Sequence, residues 1–417
     1  MRISLVSEHA NPLAALGGAD AGGQNVHVAA LAAGLARRGH DVVVHTRRDN
    51  VSAPERLSTS DGYVVHHVLA GPPTDVPKDE MLPLMTEFGQ RLGDTWRVDP
   101  PDVVHAHFWM SGLASVAGVV GTDIPVLQTF HALGSVKRRH QGRLDTSPPG
   151  RVGLERRLCR EVDRVIATCR DEVDELAALG MPACRADVIP CGVDTSLFTP
   201  GPRASERAAV GGSDRARERQ RLVVVGRLVT RKGIGNAIEA LARLRHDGRD
   251  VELVIAGGPA GSALDVDPEV ERLRELAERL RVTDRVVFLG GLARADVPDL
   301  MRSADVVVTV PWYEPFGIVP LEAMACGRPV VGSAVGGLLD TIVPGGTGEL
   351  VPPRDPEALA DVLGELLDDP ERRRRYGEAG RERAVSLYDW SNVVARTEAV
   401  YEEVVRGRAI SEKEIAR

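Results

Sequence analysis

An α/β protein built from two doubly wound parallel sheets is what this sequence predicts, and three observations predict it. Short β-branched runs alternate with longer helical patterns, and strand, helix, strand in that order produces parallel pairing with helices on both faces. The alternation breaks once, at the polar, charged, Gly-containing stretch "GPRASERAAVGGSDRARERQR", residues 201 to 221, and then restarts. A length of 417 residues also exceeds one ordinary domain and suits two or three.

In the first half, "RISLVS" is the opening strand. It leads through a Gly-rich loop to the helix "NVHVAALAAGLARRG", which starts near Asn25. Arg37 and Arg38 suit that helix's negative carboxyl end, and Gly39 suits a left-handed cap. The runs "HDVVVHT", "PDVVHAH", "IPVLQTF", "RVIATC" and "ADVIP" follow as strands. After the break, "LVVVGRLVTRKG", "VELVIAGG", "RVVFLGG" and "DVVVTVPW" are strands. They are separated by the helices "NAIEALARLRHDG", "EVERLRELAERLR" and "ADVPDLMRSA". The expected division is a first domain at 1–200, a linker or surface loop at 201–221 and a second domain at 222–385. A terminal helix at 386–417, with aromatic and aliphatic anchors, is expected to pack back on the first domain.

A formal net charge of −8 argues against nonspecific nucleic-acid binding, which needs a positive surface. The five cysteines, at 159, 169, 184, 191 and 326, are odd in number, scattered and without a C-x-x-C pair. That fits a reducing cytoplasm better than a disulfide framework. The amino-terminal apolar run is too short for a signal peptide, and no segment reads as a membrane span. Two basic stretches, "HALGSVKRRHQGRLDTSPPG" and "PERRRRYGEAGRERA", read as a solvated loop and a solvated helix face. They are also the features that would suit peripheral contact with an anionic membrane at its inner face. Nothing in the pattern fixes the oligomeric state.

Ligands of open parallel sheets bind beyond the carboxyl ends of the strands, so motifs there matter most. Gly17, Gly18, Gly22 and Gly23 lie between the first strand and its helix, where bare backbone amides can approach a phosphate or sugar. Their spacing is not the G-x-G-x-x-G of a dinucleotide site, and a mobile loop explains them equally well. Directly past the second domain's first strand, Arg227 and Lys232 flank a turn into a helix, a setting for a dianionic phosphate group rather than a solvated basic turn. His105 and His107 end one strand, and His131 ends the next. An H-x-H pair shares one strand face, which is half of a zinc site, but no third ligand stands at convincing spacing. Substrate contact for at least one of these histidines is the better reading.

The stretch "PWYEPFGIVPLEAMACGRPVV" holds Glu314 in a turn with Pro315 and Gly317, and Glu322 one turn into the following helix. Pro320 suits that helix's first turn and Gly327 its end. Free amides from Phe316 to Val319 would face an anion, while the two carboxylates would grip sugar or ribose hydroxyls. Read plainly, the two glutamates are caps.

These motifs resemble, over nearly the whole chain, the retaining glycosyltransferases of family 4. That family has the GT-B architecture: two doubly wound Rossmann-like domains facing a central cleft. The E-x7-E element Glu314–Glu322 carries the resemblance, with "GRLVTRKG" before it and "GGLLDTIVPGGTGELVPPRDP" after it. The segments "DAGGQNVHV", "HAHFWMSG" and "FHALGSVK" are most similar to the branch of the D-inositol-3-phosphate glycosyltransferases and sucrose-phosphate synthases.

The resemblance implies transfer of a hexose-type sugar from a nucleotide-diphosphate sugar, UDP favoured, to a hydroxyl acceptor. Front-face attack is expected, with no metal and no cofactor, because the nucleotide-sugar is a substrate. Arg227 and Lys232 would hold the diphosphate, Glu314 the sugar hydroxyls with Phe316, Gly317 and Ile318 beside it, and Glu322 the ribose. His131 would lie by the transferred sugar and Gly23 by the phosphate. Asn25, Lys78, His107 and Phe108 would contact the acceptor, whether small molecule, glycan or lipid-linked. The chain departs from the branch at Phe108 and Ala132, where the branch carries tyrosine and threonine. Both missing hydroxyls would touch an acceptor phosphate, so the acceptor stays open. Other readings of the same residues are a nucleotide-sugar epimerase, a phosphorylase, or a metal hydrolase using His105 and His107.

Overall fold

The computed structural model describes residues 1–14, 22–201 and 219–415, with backbone alone at 262 and 409–415. The described residues divide into two compact units. One comprises residues 1–14, 22–190 and the chain from Trp390 onward, and the other is Cys191–Asp389.

The first unit runs β1 (Arg2–Val6), α1 (Gly23–Arg37), β2 (Asp41–Arg47), β3 (Arg56–Ser58), β4 (Val64–Val68), α2 (Met85–Val98), β5 (Val103–His107) and α3 (Trp109–Gly118). It continues with β6 (Val126–Thr129), α4 (Gly134–Gln141), α5 (Arg151–Glu161), β7 (Arg164–Ala167), α6 (Arg170–Ala178) and β8 (Ala186–Val188). Its strands lie in the order β3-β4-β2-β1-β5-β6-β7-β8. All described pairs are parallel except β3 with β4. Central β5, "VVHAH", is buried at every residue, as a parallel strand covered on both faces must be.

The second unit holds β9 (Gln220–Val225), α7 (Ile234–His246), β10 (Val251–Ala256), α8 (Pro268–Arg279), β11 (Val286–Gly290), α9 (Val297–Ser303) and β12 (Val306–Thr309). After these come α10 (Ile318–Ala325), β13 (Val330–Ser333), α11 (Gly337–Thr341), β14 (Gly348–Val351), α12 (Pro356–Asp368) and α13 (Pro370–Tyr388). The sheet order is β11-β10-β9-β12-β13-β14. Both sheets therefore reverse direction of growth beside their first strand, between β1 and β5 and between β9 and β12. In such folds the crevice outside the carboxyl ends at that switch point is where ligands bind. α8 shows why a helix forms locally: Asp267 caps the amides of Glu269 and Val270 at 3.0 Å each, Pro268 opens the first turn, and Val270, Leu273 and Ala277 make one buried stripe.

The last helix, α14 (Trp390–Ile415), belongs to the first unit. Tyr401 places its hydroxyl 2.6 Å from His105 Nδ1, Glu398 meets His40 at 2.7 Å, and Arg408 meets Asp163 at 2.6 Å.

Several boundaries differ from expectation. The first unit ends at Pro190 rather than 200, because Val193 and Phe198 are buried in the second unit's core and Arg381 donates to the carbonyls of Thr195 and Phe198. Residues 202–218 of the expected linker, and Gly17 and Gly18, lie outside the described residues, while Gln220 and Arg221 already belong to β9. The terminal helix begins at Trp390, not 386, since α13 runs to Tyr388. The stretch expected as a basic loop contains the helix α4, whose Lys137 pairs with Asp145 and Arg139 with Glu175. α1 starts at Gly23, before Asn25.

α1 packs on α14 at Gly34, where a Cβ would lie 2.4 Å from Val394 Cγ2. Gly34→Ala is expected to lower the stability of the first unit by about 1–3 kcal/mol, because valine is stiff and the helices must move apart. Denaturant unfolding followed by tryptophan fluorescence measures it; an unchanged midpoint would contradict this packing.

Candidate functional site

In the second unit, the chain leaving β9 passes Gly226 and the exposed Arg227, then makes a 3-10 turn at Thr230–Lys232. Gly233 closes the turn in the left-handed region (φ 70), and a Cβ there would lie 2.0 Å from the carbonyl oxygen of Val310. That close approach ties the turn to the chain leaving β12, where the amide of Trp312 also donates to the carbonyl of Arg231 at 2.8 Å. The two exits are adjacent because β9 and β12 pair. Across them, Lys232 Nζ donates to Glu314 Oε2.

The pair is partly withdrawn from water, its side chains 21% and 11% exposed, and its electrostatics follow from that. Burial alone would raise the Glu314 carboxyl, yet Lys232, Arg231 and the amide of Phe316 hold it below the ordinary carboxylate range. Burial pulls Lys232 down, Glu314 opposes this, and the charges of Arg231 and Arg227 add to the lowering. Arg227, Arg231 and Lys232 thus form one cationic group around a single carboxylate. The Phe316 amide is not free, as the sequence reading had it: it already serves Glu314.

Gly317 is left-handed (φ 73) and caps α10, which carries Glu322 one turn in, only 4% exposed. Glu322 accepts from Arg294 Nη1 at 2.8 Å. Burial raises its carboxyl and Arg294 opposes the rise. Both glutamates act on the thiol of Cys191, which burial pushes far above its usual range. The loop at Gly336 and Gly337 braces the turn from outside. Gly337 donates to the carbonyl of Glu314 at 2.8 Å, and a Cβ on Gly336 would lie 2.3 Å from that oxygen. Arg294 went unread in the sequence, although an arginine just past a parallel strand was a visible signal; the Gly-Gly pair opens the segment "GGLLDTIVPGGTGELVPPRDP", which was read only as part of the resemblance.

In the first unit, the paired ends of β1, β5 and β6 bring Ser7–His9, Phe108 and His131 to one edge. Phe108 (φ 83) and His131 (φ 62) are both held in the left-handed region. Such backbone costs of order 1–3 kcal/mol each and persists only where the surroundings enforce it. His131, 2% exposed, and His107, fully buried, lie 2.9 Å apart through Nε2 and Nδ1. His27 stacks edge-on to His131 and to Trp390. His107 therefore supports His131 and is not itself open to a ligand. Asn25 is likewise engaged internally, accepting from Gly22 N at 3.0 Å and donating to the Asn11 carbonyl at 2.9 Å, which makes it a cap of α1. Gly23 is the first residue of α1, and Lys78 stands half-buried in a 3-10 turn.

His105 has both ring nitrogens committed, Nδ1 to Tyr401 and Nε2 to Thr129 at 2.9 Å. Among the described residues no three His, Cys, Asp or Glu side chains could hold a metal ion together, so His105 and His107 are a packing pair rather than a zinc half-site. No helix of the described residues is long and apolar enough to cross a membrane.

Two parallel-sheet units of this topology, with a carboxylate–cation cluster at a switch point, define a GT-B glycosyltransferase acting on a nucleotide-sugar donor. Residues 21–197 match the model of Glycosyltransferase Family 4 and residues 211–383 that of Glycosyl transferases group 1. The chain is 36% identical to the D-inositol 3-phosphate glycosyltransferase of Kineococcus radiotolerans, over 98% of this chain and 96% of that one. It is 36% identical to the protein of the same name from Mycobacteroides abscessus, over 99% and 90%. The solved sucrose-phosphate synthase of Thermosynechococcus elongatus superposes with a TM-score of 0.88 at 30% identity, covering 97% of this chain and 99% of that one. The chain belongs to glycosyltransferase family 4.

Two outcomes follow from the electrostatics. Burial lowers His27 to about 4 and His105 to about 3, and drives His107 and His131 well below their ordinary value. Folded histidines that resist protonation leave the unfolded chain binding more protons below about pH 6.5. The first unit therefore loses stability as pH falls from about 6.5 towards 4, by about 1.4 kcal/mol per pH unit for each such histidine. Trp96, Trp109 and Trp390 report this unit, so urea unfolding at pH 7.5 and 5.5 reads it. Equal midpoints would refute the claim. In the second unit, Arg294→Met removes the counter-charge of Glu322; nucleotide-sugar affinity should fall roughly 10- to 100-fold by calorimetry, with the fold intact by circular dichroism.

Proposed function

We propose that this enzyme transfers a hexose-type sugar from a UDP-sugar to a hydroxyl of its acceptor with retention of configuration. The donor is bound by the second unit and the acceptor by the first. The observation that carries this reading is the half-buried Lys232–Glu314 pair, with Arg231 and Arg227 beside it, at the carboxyl ends of β9 and β12. An ammonium offers three hydrogens and a carboxylate about four lone-pair sites. Each partner of the pair therefore keeps capacity for a ligand: Lys232 for the diphosphate, Glu314 for sugar hydroxyls.

The reaction needs negative charge stabilised on the departing diphosphate. Lys232 and Arg227, already positioned, supply this with little reorganisation, which is where such sites gain most of their rate. Phe316, Gly317 and Ile318 lie at the bend before α10 and would line the donor, Glu322 would take the ribose hydroxyls, and Gly23 would lie near the phosphate. The acceptor hydroxyl would attack from the face the diphosphate leaves, with His131 beside the transferred sugar. No cofactor or metal is required on this reading, because cationic side chains do the electrostatic work. Uridine as the base follows the resemblance of the motifs.

Lys232→Ala and Glu314→Ala should each lower transfer at least about 100-fold while leaving the unfolding midpoint of the first unit unchanged. A thermal-shift screen of UDP-, GDP- and ADP-sugars should stabilise the protein with the uridine series alone. NMR of the product's anomeric proton reads retention directly. Near-normal transfer by both variants would sink the site assignment, and an inverted product would sink the front-face mechanism.

A further inference from the structure

His27, His105, His107 and His131 pack ring against ring in the first unit, with centres 4.2 to 5.5 Å apart. Neighbouring groups fix the tautomer of one of them outright. The Thr129 hydroxyl has one hydrogen and donates it to the Ile166 carbonyl at 3.0 Å, so towards a ring nitrogen it can only accept. His105 Nε2, 2.9 Å from that oxygen, therefore carries the proton of its ring. Burial lowers His105 to about 3, so the ring is neutral at about pH 7, and its Nδ1 accepts from the Tyr401 hydroxyl at 2.6 Å. Tyr401 comes from α14, so the terminal helix closes a chain that runs from Tyr401 through His105 and Thr129 to the backbone of β7.

His107 lies next to His105 and is bonded to the ring past the end of β6. Its Nδ1 stands 2.9 Å from His131 Nε2, with the two rings 26° from parallel. Burial, with the charges of neighbouring imidazoles, draws both well below the ordinary histidine range, so both rings are neutral and share one hydrogen across this contact. Either His107 donates from Nδ1 and its Nε2 is a lone pair, or His131 donates and His107 carries its proton on Nε2. The surroundings of His107 Nε2 decide. That atom is buried, and among the described residues nothing lies within hydrogen-bonding reach of it. The adjoining ring of His105 has both nitrogens committed. Buried N–H groups without an acceptor are rarer in proteins than under-used acceptors. The outer N–H of the linked pair therefore lies at the His131 end. There the chain leaves β6 with φ 62, at the sheet edge where ligands of such folds bind.

We propose that His107 is a positioning residue for sugar transfer: its Nδ1–H donates to His131 Nε2, which fills the one lone pair of the His131 ring and makes that ring a hydrogen-bond donor through Nδ1. The proposal rests on the reading that puts His131 beside the transferred sugar. It narrows the chemistry there. A neutral imidazole has a single lone pair, so a His131 that accepts from His107 can bond a sugar oxygen but cannot take a proton from the acceptor hydroxyl. Tyr401 and Thr129 act one ring further back, holding His105 against His107 with 4.2 Å between ring centres.

Nitrogen NMR of wild-type protein labelled at its histidines, at about pH 7.5, reads each tautomer directly. His105 should carry its proton on Nε2, and His107 and His131 on Nδ1; a proton on Nε2 of His107 overturns the proposal. Kinetics with UDP-glucose as donor and D-inositol 3-phosphate as acceptor probe read the consequence. His107→Phe keeps a ring but has no N–H, and should lower kcat about 10- to 100-fold while the donor KM stays within about threefold. His107→Asn sets an amide N–H near the place of Nδ1 and should recover most of that loss. His107→Gln, whose amide falls nearer the place of Nε2, should not. An unchanged kcat in His107→Phe overturns the positioning role, and so does equal activity of the Asn and Gln variants. If the probe pair yields no transfer, or a variant fails to fold, the wild-type tautomers decide alone. A wild-type protein that binds no nucleotide-sugar defeats the glycosyltransferase reading instead, and that result is separate from the tautomer of His107.

Discussion

The half-buried pair of Lys232 and Glu314 is the interaction on which the second unit's carboxyl edge depends. Drawing two charges partly out of water is costly, and each partner offsets the cost for the other. The backbone is arranged to keep them together. Gly233 lets the β9 exit touch the carbonyl of Val310, Trp312 ties its amide to Arg231, and Gly336 and Gly337 close on the Glu314 carbonyl. Any side chain at 233 or 336 would push the two exits apart, and with them the charges. The pair also explains why the Glu314 carboxyl is held low in a half-buried place while Glu322, with the single cation of Arg294 against it, is pushed the other way. Two carboxylates on one short segment therefore offer different chemistry without any difference in residue type.

The first unit meets the opposite constraint. Its switch point is walled by imidazoles, and burial keeps His27, His107 and His131 neutral. Two arginines and a lysine on α4 and α5 have their own counter-ions: Arg151 with Glu155, Lys137 with Asp145 and Arg139 with Glu175. Fixed dipoles replace fixed charge. The left-handed backbone at Phe108 and His131 fits this picture, because aiming a neutral ring requires an exact main-chain direction where a long charged side chain could bend to its target.

Much of the fold was legible because parallel strands such as "VVVT" and "VELVIA" are apolar at nearly every position and helices such as α8 carry caps as well as a stripe. Strands β3 and β4 were not read: β3 is three exposed residues, and β4, "VVHHV", hides its apolar character behind two histidines. The unit boundary at Pro190 was misread because "CGVDTSLFTP" looks like a tail of what precedes it; its place is set by distant partners in α13 that no local pattern announces. The same holds at the site. Glu314, Glu322, Arg227 and Lys232 stood out by motif and position. Arg294 did not, since an isolated charge after a strand has meaning only once sheet order brings it beside its partner. Asn25 was singled out through the resemblance, and its side chain also serves the backbone at the helix start, a role the sequence did not announce.

These two constraints bear on selectivity. In the second unit a ligand meets net positive charge from Arg227, Arg231 and Lys232 around one carboxylate, which favours a diphosphate largely regardless of what it carries. In the first unit, discrimination by net charge is weak where each cation has its own carboxylate, and it falls to hydrogen-bond direction. A site whose buried hydrogen-bonding groups are fixed before binding rejects a molecule lacking the matching partner more strongly than one that differs by a methylene, because the unmatched group stays unpaired. His131, its ring held by His107 and its backbone in the left-handed region, is such a fixed point on that edge. On the proposed reading, the enzyme's tolerance lies at its cationic edge and its selectivity at its neutral one, so changes in substrate choice should arise from single polar substitutions around β5 and β6 rather than from the E-x7-E segment.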